Sequence, residues 1–324
     1  MEKPMFPLGN KEIRIGMLGM TEGNAHPFSW SAMINGYDHE EMVKWTAKEY
    51  PTIPAYLGKQ PADTFGIPGV KVTHICFTGY AEREMAENCA RATFIPNVVD
   101  KPEDMIGQVD AIICATDIGA EHVERCRPFI EAGLPIFIDK PLADNEEDLR
   151  TMVKWHDEGA HILSGSSLRY KKETEIYYDH HYEFGKFRYI ISPMAKKWET
   201  YGMHAIEAFF HLVGCGFEWV ENLGTYERPF VNLYHKDGCH VTIPMNTPAP
   251  GLWLCGEYAS KNVASGDSFY SFKKQLDVFV DYLRTGKYPF PFEETIECTK
   301  ILVAGIRSRE EGGRRVYLSE IRER

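Results

Sequence analysis

The sequence predicts an α/β protein: a doubly wound parallel sheet in the first half and a large open, mostly antiparallel sheet in the second. Three observations carry this reading. Between residues 12 and 164, short apolar runs alternate with helical segments. Those runs are apolar throughout rather than at every second residue, so the strands are buried on both faces, as in a parallel sheet covered by helices. Beyond about Tyr170, strand-like runs follow one another without intervening helices, which is the grammar of an antiparallel or mixed sheet.

The elements follow in order. Glu12 to Gly19 (EIRIGMLG) reads as a buried strand ending in glycine, and Phe28 to Ile34 as the start of a helix. Asn35 to Gly69 carries Pro51, Pro54, Pro61 and Pro68 and reads as an insertion of one or two short helices and turns, because connections in such sheets are normally short. Val70 to Phe77, Val109 to Ala115, Leu134 to Ile138 and His161 to Ser164 are further strands, with helices over Glu82 to Ala92, Glu121 to Ala132 and Asn145 to Gly159. In the second half, Phe187 to Ser192, Trp219 to Thr225, Phe230 to His235, Cys239 to Ile243 and Leu252 to Tyr258 read as strands. His204 to Val213 is a helix feeding that sheet, Ser268 to Arg284 and Phe292 to Glu311 are closing helices, and Arg315 to Leu318 is a last short strand or tail. A chain of 324 residues exceeds what one core usually covers. The grammar changes near Ser166, which divides it into residues 1–166 and 167–324, with the C-terminal helices free to pack back on the first unit.

Composition narrows the function classes. A hydrophobic fraction of 44% supplies a sizeable core. A net charge of -11 argues against a general nucleic-acid or acidic-membrane surface, while leaving room for a local basic pocket. No stretch approaches the roughly 20 apolar residues that span a bilayer, and the opening residues MEKPMFP lack the apolar run of a secretory signal. The eight cysteines form no CxxC pair. They read as free thiols in a reducing cytoplasm rather than a disulfide frame or zinc site, and no metal is expected.

Gly16-Met17-Leu18-Gly19-Met20-Thr21-Glu22-Gly23-Asn24 lies where the first strand turns into the first helix. A pyrophosphate is held at such a turn by close backbone approach and by free N–H groups at the helix N-terminus. The spacing departs from G-x-G-x-x-G, so the loop reads equally as a cofactor cradle of Gly19, Thr21, Gly23 and Asn24 or as a tight turn of small residues. Thr78 stands after the second strand, where NAD-binding chains carry an acid for the ribose hydroxyls. Its small side chain leaves room for a 2′-phosphate, and Arg83 is the nearby cation, so NAD and NADP both stay open.

Asp139-Lys140-Pro141 follows an apolar strand directly, and open parallel sheets bind ligands at the carboxyl ends of their strands. A lysine there can polarise or protonate a substrate oxygen; an exposed lysine in a strand-end turn is the alternative. His204 has Glu207 and His211 three and seven residues on, on one helical face. It suits general acid/base work near neutral pH or is a packed histidine at a helix start. His26 and His122 each contact a phosphate or cap a helix. Trp198 and Tyr201 shape a pocket or fill the core.

Several of these segments, in order, resemble the Gfo/Idh/MocA oxidoreductases, the glucose–fructose oxidoreductase and inositol dehydrogenase group. Val109-Asp110-Ala111-Ile112-Ile113-Cys114-Ala115-Thr116, then His122, then Ala132-Gly133 through Asp139-Lys140-Pro141-Leu142 are similar to that family's D-A-V-x-V-x-T-P…H…A-G-K-x-V-x-x-E-K-P-L run. Gly165-Ser166-Ser167-Leu168-Arg169-Tyr170 is similar to its crossing strand, and Gly202-Met203-His204-Ala205-Ile206-Glu207 to its G-x-H-x-x-D helix. The closing segments around Phe279 to Lys287 and Ala304 to Gly312 are similar to its last helices.

The resemblance implies a Rossmann domain followed by an α/β domain whose sheet walls the substrate pocket and commonly forms a dimer surface, so a homodimer or homotetramer is expected. It implies NAD or NADP, held by the glycine loop, His26, Thr78, Arg83, Ala115, Thr116, His122 and Asp139, with Lys140 at the nicotinamide. It implies a sugar, cyclitol or related polyol as substrate, with Lys140 in the catalytic lysine role, His204 as acid/base, and Arg169, Trp198, Thr200 and Tyr201 around the substrate. The family often has an aspartate four residues before this histidine; Thr200 stands there, with Glu199 or Glu207 as replacements. Two further functions fit the same fold: a cofactor-retaining lyase acting by transient oxidation and elimination, and a non-catalytic sensor.

Overall fold

A computed structural model of the chain describes residues 4–7, 11–78, 83–264 and 266–324. The first half runs β1 (Ile13–Leu18), α1 (His26–Asn35), α2 (His39–Thr46), α3 (Thr52–Leu57), β2 (Val70–Cys76), α4 (Arg83–Ala92), β3 (Asn97–Val98), β4 (Ala111–Cys114), α5 (His122–Glu131), β5 (Ile136–Asp139), α6 (Glu146–Asp157) and β6 (Ile162–Gly165). The second half runs α7 (Lys172–His180), β7 (Phe187–Ile191), α8 (Trp198–Val213), β8 (Phe217–Asn222), β9 (Phe230–His235), β10 (His240–Pro244), β11 (Leu252–Gly256), β12 (Ser260–Val263), α9 (Ser268–Thr285), α10 (Phe292–Glu310) and β13 (Val316–Tyr317).

Six parallel strands form the first sheet in the order β3-β2-β1-β4-β5-β6. The order reverses between β1 and β4, which opens a crevice at their carboxyl ends. Gly19 and Thr116 follow those two strands. Strands β4, β5 and β6 are buried along their whole length, as their unbroken apolar runs require. The insertion holds α2 and α3, and Asp38 caps α2 by accepting the Glu41 N–H.

Seven strands form the second sheet in the order β12-β11-β7-β10-β9-β8-β13. Only β7 and β10 pair in parallel; the other neighbours are antiparallel. Residues alternate across it. Ile190, Val220, Val231, Leu233, Val241, Ile243 and Leu254 share one apolar cluster with α8 and α10. The opposite face carries Tyr189, Ile191, Phe230 and Tyr317 in the open. Helix α9 packs the other way: Leu276, Phe279 and Leu283 join Ile13, Ile15 and Val70 beside the parallel sheet.

Three elements are absent from the sequence reading: β3 is two residues long, β12 is an exposed edge strand, and α7 is largely polar. None has the apolar periodicity that the reading relied on. The predicted start of α4 at Glu82 lies outside the described residues. Helix α8 begins at Trp198, six residues before the predicted His204. Within it, a Cβ at Gly202 would lie 2.6 Å from Trp198 Cε3. The glycine is what lets the indole fold back along its own helix.

Candidate active site

The loop after β1 is built for close backbone approach. Gly19 has φ +75° and Gly23 φ +78°. A Cβ on Gly19 would stand 2.6 Å from Thr116 Cγ2, so the two strand ends meet only because residue 19 has no side chain. The Gly19 N–H donates to Cys76 O at 2.9 Å, and the Asn24 N–H closes the turn on Thr21 O at 3.0 Å. Asn24 Oδ1 then accepts the His26 N–H at 3.0 Å, where α1 starts. Thr21 Oγ1 accepts the Asp117 N–H at 3.2 Å, tying this loop to the one after β4.

Asp139, at the end of β5, gathers three groups. Oδ2 lies 2.7 Å from His26 Nδ1 and 3.3 Å from Asn24 Nδ2, while Oδ1 accepts the Lys140 N–H at 2.8 Å. His26 stacks on Trp30 with ring centroids 4.5 Å apart.

Lys140 is only 1% exposed. Its Nζ donates to Asp117 Oδ2 at 3.1 Å and to Thr200 O at 3.0 Å, and lies 5.0 Å from the centre of the Tyr201 ring. Burial pulls the ammonium down, but the charges of Asp117 and Asp139 outweigh it and hold Lys140 above its ordinary value. For Asp117, burial pushes up and the Lys140 and His26 charges more than reverse it. Both partners therefore favour the charged pair.

His204, 8% exposed, reaches Ser166 Oγ with Nδ1 at 2.5 Å. Ser166 Oγ also accepts the Leu168 N–H at 3.0 Å. When Nδ1–H donates to the hydroxyl, Nε2 keeps a lone pair; when the hydroxyl donates to Nδ1, Nε2 carries the proton. The exchange moves no heavy atom. Burial lowers His204 well below the usual histidine range, and the Lys140, His26 and Lys196 charges add to it. His204, Tyr201 and His26 line one cavity of about 190 Å³ with Ser167, Leu168, Lys171, Met194 and residues of α9.

Several predicted residues have other work. Trp198 does not reach the cavity. It is fully buried, donates from Nε1 to Leu302 O at 2.9 Å, and sits between Gly202 and Gly305 where α8 and α10 touch. Arg169 is also out of the cavity, buried between Glu207 at 2.8 Å and Glu294 at 2.6 Å. Glu207 is thus committed, and Glu199 pairs with Arg309 at 2.5 Å, so neither replaces the aspartate missing at Thr200. Thr200 itself offers Lys140 a backbone carbonyl. His122 is buried with Nδ1 2.9 Å from Pro141 O and Nε2 2.9 Å from Thr116 O. It ties the loops after β4 and β5 together, and no ring nitrogen is left for a phosphate. Arg83 turns away to Glu87 and Asp100. His211 is half-buried, but both its ring nitrogens are covered and neither has a hydrogen-bond partner among the described residues; burial pushes it down to about 3.

Two residues escaped the sequence reading. Arg125, on α5, donates to Thr78 Oγ1 at 2.7 Å and to Thr78 O at 3.4 Å, taking the place expected of Arg83. Asp117 supplies the carboxylate at Lys140. Its signal was in the sequence, since Thr116-Asp117 stands where the family pattern has Thr-Pro.

Residues 13–165 match the family model described as an oxidoreductase family with an NAD-binding Rossmann fold. That stretch, just under half of the chain, is similar to the Gfo/Idh/MocA oxidoreductases. No curated protein matches the sequence. Among solved structures, the chain is similar in fold to scyllo-inositol dehydrogenase from Lactobacillus casei with bound NAD(H) and scyllo-inositol: TM-score 0.74, 12% identity, covering 95% of this chain and 100% of that one. It is also similar to myo-inositol 2-dehydrogenase from Lactobacillus plantarum, with TM-score 0.71, 17% identity, and coverage of 95% and 99%.

The loop fits the dinucleotide that the matched family binds. The cradle at Gly19 is one a Cβ would fill, and it opens at the strand-order reversal. Replacing the residue tests that fit. Gly19→Val places a branched side chain at φ +75° against Thr116. NAD affinity in a calorimetric titration is expected to fall at least about tenfold, with a loss of about 1–3 kcal/mol in stability.

Proposed function

We propose that the protein is an NAD-dependent dehydrogenase acting on a secondary alcohol of a sugar-like polyol. His204 takes the hydroxyl proton and Lys140 holds the same oxygen. The observation that carries this is the convergence of an acid/base histidine and a buried ammonium on one aromatic ring: Tyr201 lies 4.9 Å from the His204 ring and 5.0 Å from Lys140 Nζ. The NAD-binding family match supports the redox half of the reading, and the inositol bound by the Lactobacillus casei protein supports the substrate class.

When bound, NAD supplies the hydride acceptor. The chain supplies the rest. Neutral His204 accepts the alcohol proton at Nε2 while Ser166 holds Nδ1. Lys140, set just off the lining of the cavity and 5.0 Å from the Tyr201 ring, offers the oxygen the one Nζ–H left over from Asp117 and Thr200 O as its negative charge grows; those two partners hold the ammonium in place, which lowers the cost of reorganisation. The glycine loop would hold the dinucleotide phosphates, with Ala115 and Thr116 on the nicotinamide side. Thr78, held by Arg125, would meet the adenosine ribose, where Glu103, Glu121 and Glu124 would disfavour a 2′-phosphate.

The pH dependence follows from the two shifts. His204 is lowered below 6.5, so its base form prevails through the neutral range and is lost only on acidification. Lys140 is raised above 10.5, so its cation persists into strong base. With a polyol that is turned over, kcat/KM for oxidation is expected to stay level between these two values, and Asp117→Asn to bring the basic limb down. A bell centred on pH 6.5 would overturn the assignment. NADH accumulating in step with product distinguishes a dehydrogenase from a lyase or sensor on the same fold.

The outer face of the second sheet completes the proposal. Tyr189 is 54% exposed there, beside Ile191 and Phe230, an apolar face that a second copy covers in a homodimer. Sedimentation should show a dimer, and Ile191→Glu with Tyr189→Glu should return it to monomer. Among the described residues no helix is long and apolar enough to cross a membrane. Eight free cysteines fit a cytoplasmic setting.

A further inference from the structure

The walls of the His204 cavity are unusual for a neutral polyol. Binding sites for vicinal hydroxyls need groups that accept as well as donate, and carboxylates and side-chain amides do this in pairs. None of the residues lining this cavity is Asp, Glu, Asn or Gln. The polar side chains present are Lys171, His26, His204, Tyr201 and three serines. The wall is rich in donors, and its one permanent charge is positive.

Lys171 makes the point sharper. It follows the short 3-10 turn after β6, is 4% exposed, and lines the cavity. An ammonium has three N–H donors. Among the described residues, Ala264 O at 3.0 Å is the acceptor that Nζ meets. Two donors are left for whatever enters. Glu173 acts on Lys171 through space but does not line the cavity, and its carboxylate lies against Gly266. Asp267 is spent on its own helix, accepting the Phe269 and Tyr270 N–H groups. Among the described residues no carboxylate on the cavity wall pairs with the lysine, and a buried charge only partly matched from outside the wall is costly. One ammonium, offset in part by Glu173, matches a single negative charge better than a phosphate dianion.

We infer that the substrate carries a carboxylate. Lys171 is the specificity-determining residue that selects a polyhydroxy acid, such as a sugar acid, over a neutral polyol of the same size. Ser167 and Ser268 serve the hydroxyls between that carboxylate and the carbon facing His204. This rests on the proposed dehydrogenase reading and narrows its substrate class.

The test uses the NAD-loaded protein and matched pairs: glucose with glucuronate, galactose with galacturonate, and neutral cyclitols with cyclitol carboxylates. NADH formation gives kcat and KM for each. The best acid is expected to exceed its neutral partner in kcat/KM by on the order of tenfold to a hundredfold, as charge-assisted hydrogen bonds allow. Lys171→Met is expected to collapse that ratio toward one, chiefly through KM, and Lys171→Arg to restore part of it. A neutral polyol matching or beating its acid in the native protein overturns the inference while leaving the dehydrogenase reading intact. Silence from every pair counts against the dehydrogenase reading. Calorimetry on the NADH-loaded protein then decides the inference separately: an acid that binds where its neutral partner does not supports it, and no acid binding overturns it.

Discussion

Lys140→Met and His204→Ala should each lower kcat for polyol oxidation by about 10²–10⁴ with much smaller changes in NAD affinity. The two losses arise differently. Without His204 the oxygen loses the imidazole that takes its proton, since His26, the other histidine on the wall, is engaged with Asp139, and Ser166 loses its partner. Without Lys140 the oxygen loses a positive charge held at fixed position, and Asp117 becomes a buried carboxylate that has lost its ammonium partner, with Asn24 and His26 beside it. The second loss also endangers folding, since an orphaned buried charge costs about 3–5 kcal/mol. Lys140→Met combined with Asp117→Asn removes both charges and separates the effects: stability should return while turnover stays low. The double variant should be slow, but His204→Gln should leave the pH profile without an acid limb. Turnover within threefold of the native protein in both single variants would dismiss the site.

Arg169→Met should destabilise the fold by about 3–5 kcal/mol without touching the cavity. The guanidinium joins Glu207 on α8 to Glu294 on α10, and its plane lies 4.0 Å over Phe290. Burial already raises the Glu207 carboxyl against the pull of Arg169. Removing the arginine leaves that carboxylate in a dry site with no cation. Urea denaturation of the variant measures the loss, and Arg169→Lys should recover only part of it because one ammonium cannot span both carboxylates. A cost under about 1 kcal/mol would show that water reaches the pair. This result also bears on the substrate reading: if Arg169 were a substrate ligand, its loss would raise KM with stability unchanged.

The strands of the parallel sheet were legible because burial on both faces writes itself as continuous apolar sequence. Residues 136–139 and 162–165 are buried throughout. The same clarity placed Lys140 at a strand end. Helix α8 was readable only from His204 onward, since the reason for Gly202 is the ring of Trp198. Charged residues were the least legible. Arg83 and Arg125 look alike in sequence, as do Arg169 and Lys171, yet one of each pair meets solvent or a structural carboxylate and the other the site.

The sequence alone determined the order of strands and helices, the kinship of the first half, and Lys140 and His204 as the residues to test. Those depend on local apolar periodicity and on short motifs, which a one-dimensional string preserves. Tertiary structure decided the partners: that Asp117 and not Glu207 stands at Lys140, that Trp198 and His122 are structural, and that Lys171 faces the cavity. Such pairings join residues up to 104 positions apart, and only the packing of β4, β5, α8 and α10 brings them within hydrogen-bond reach.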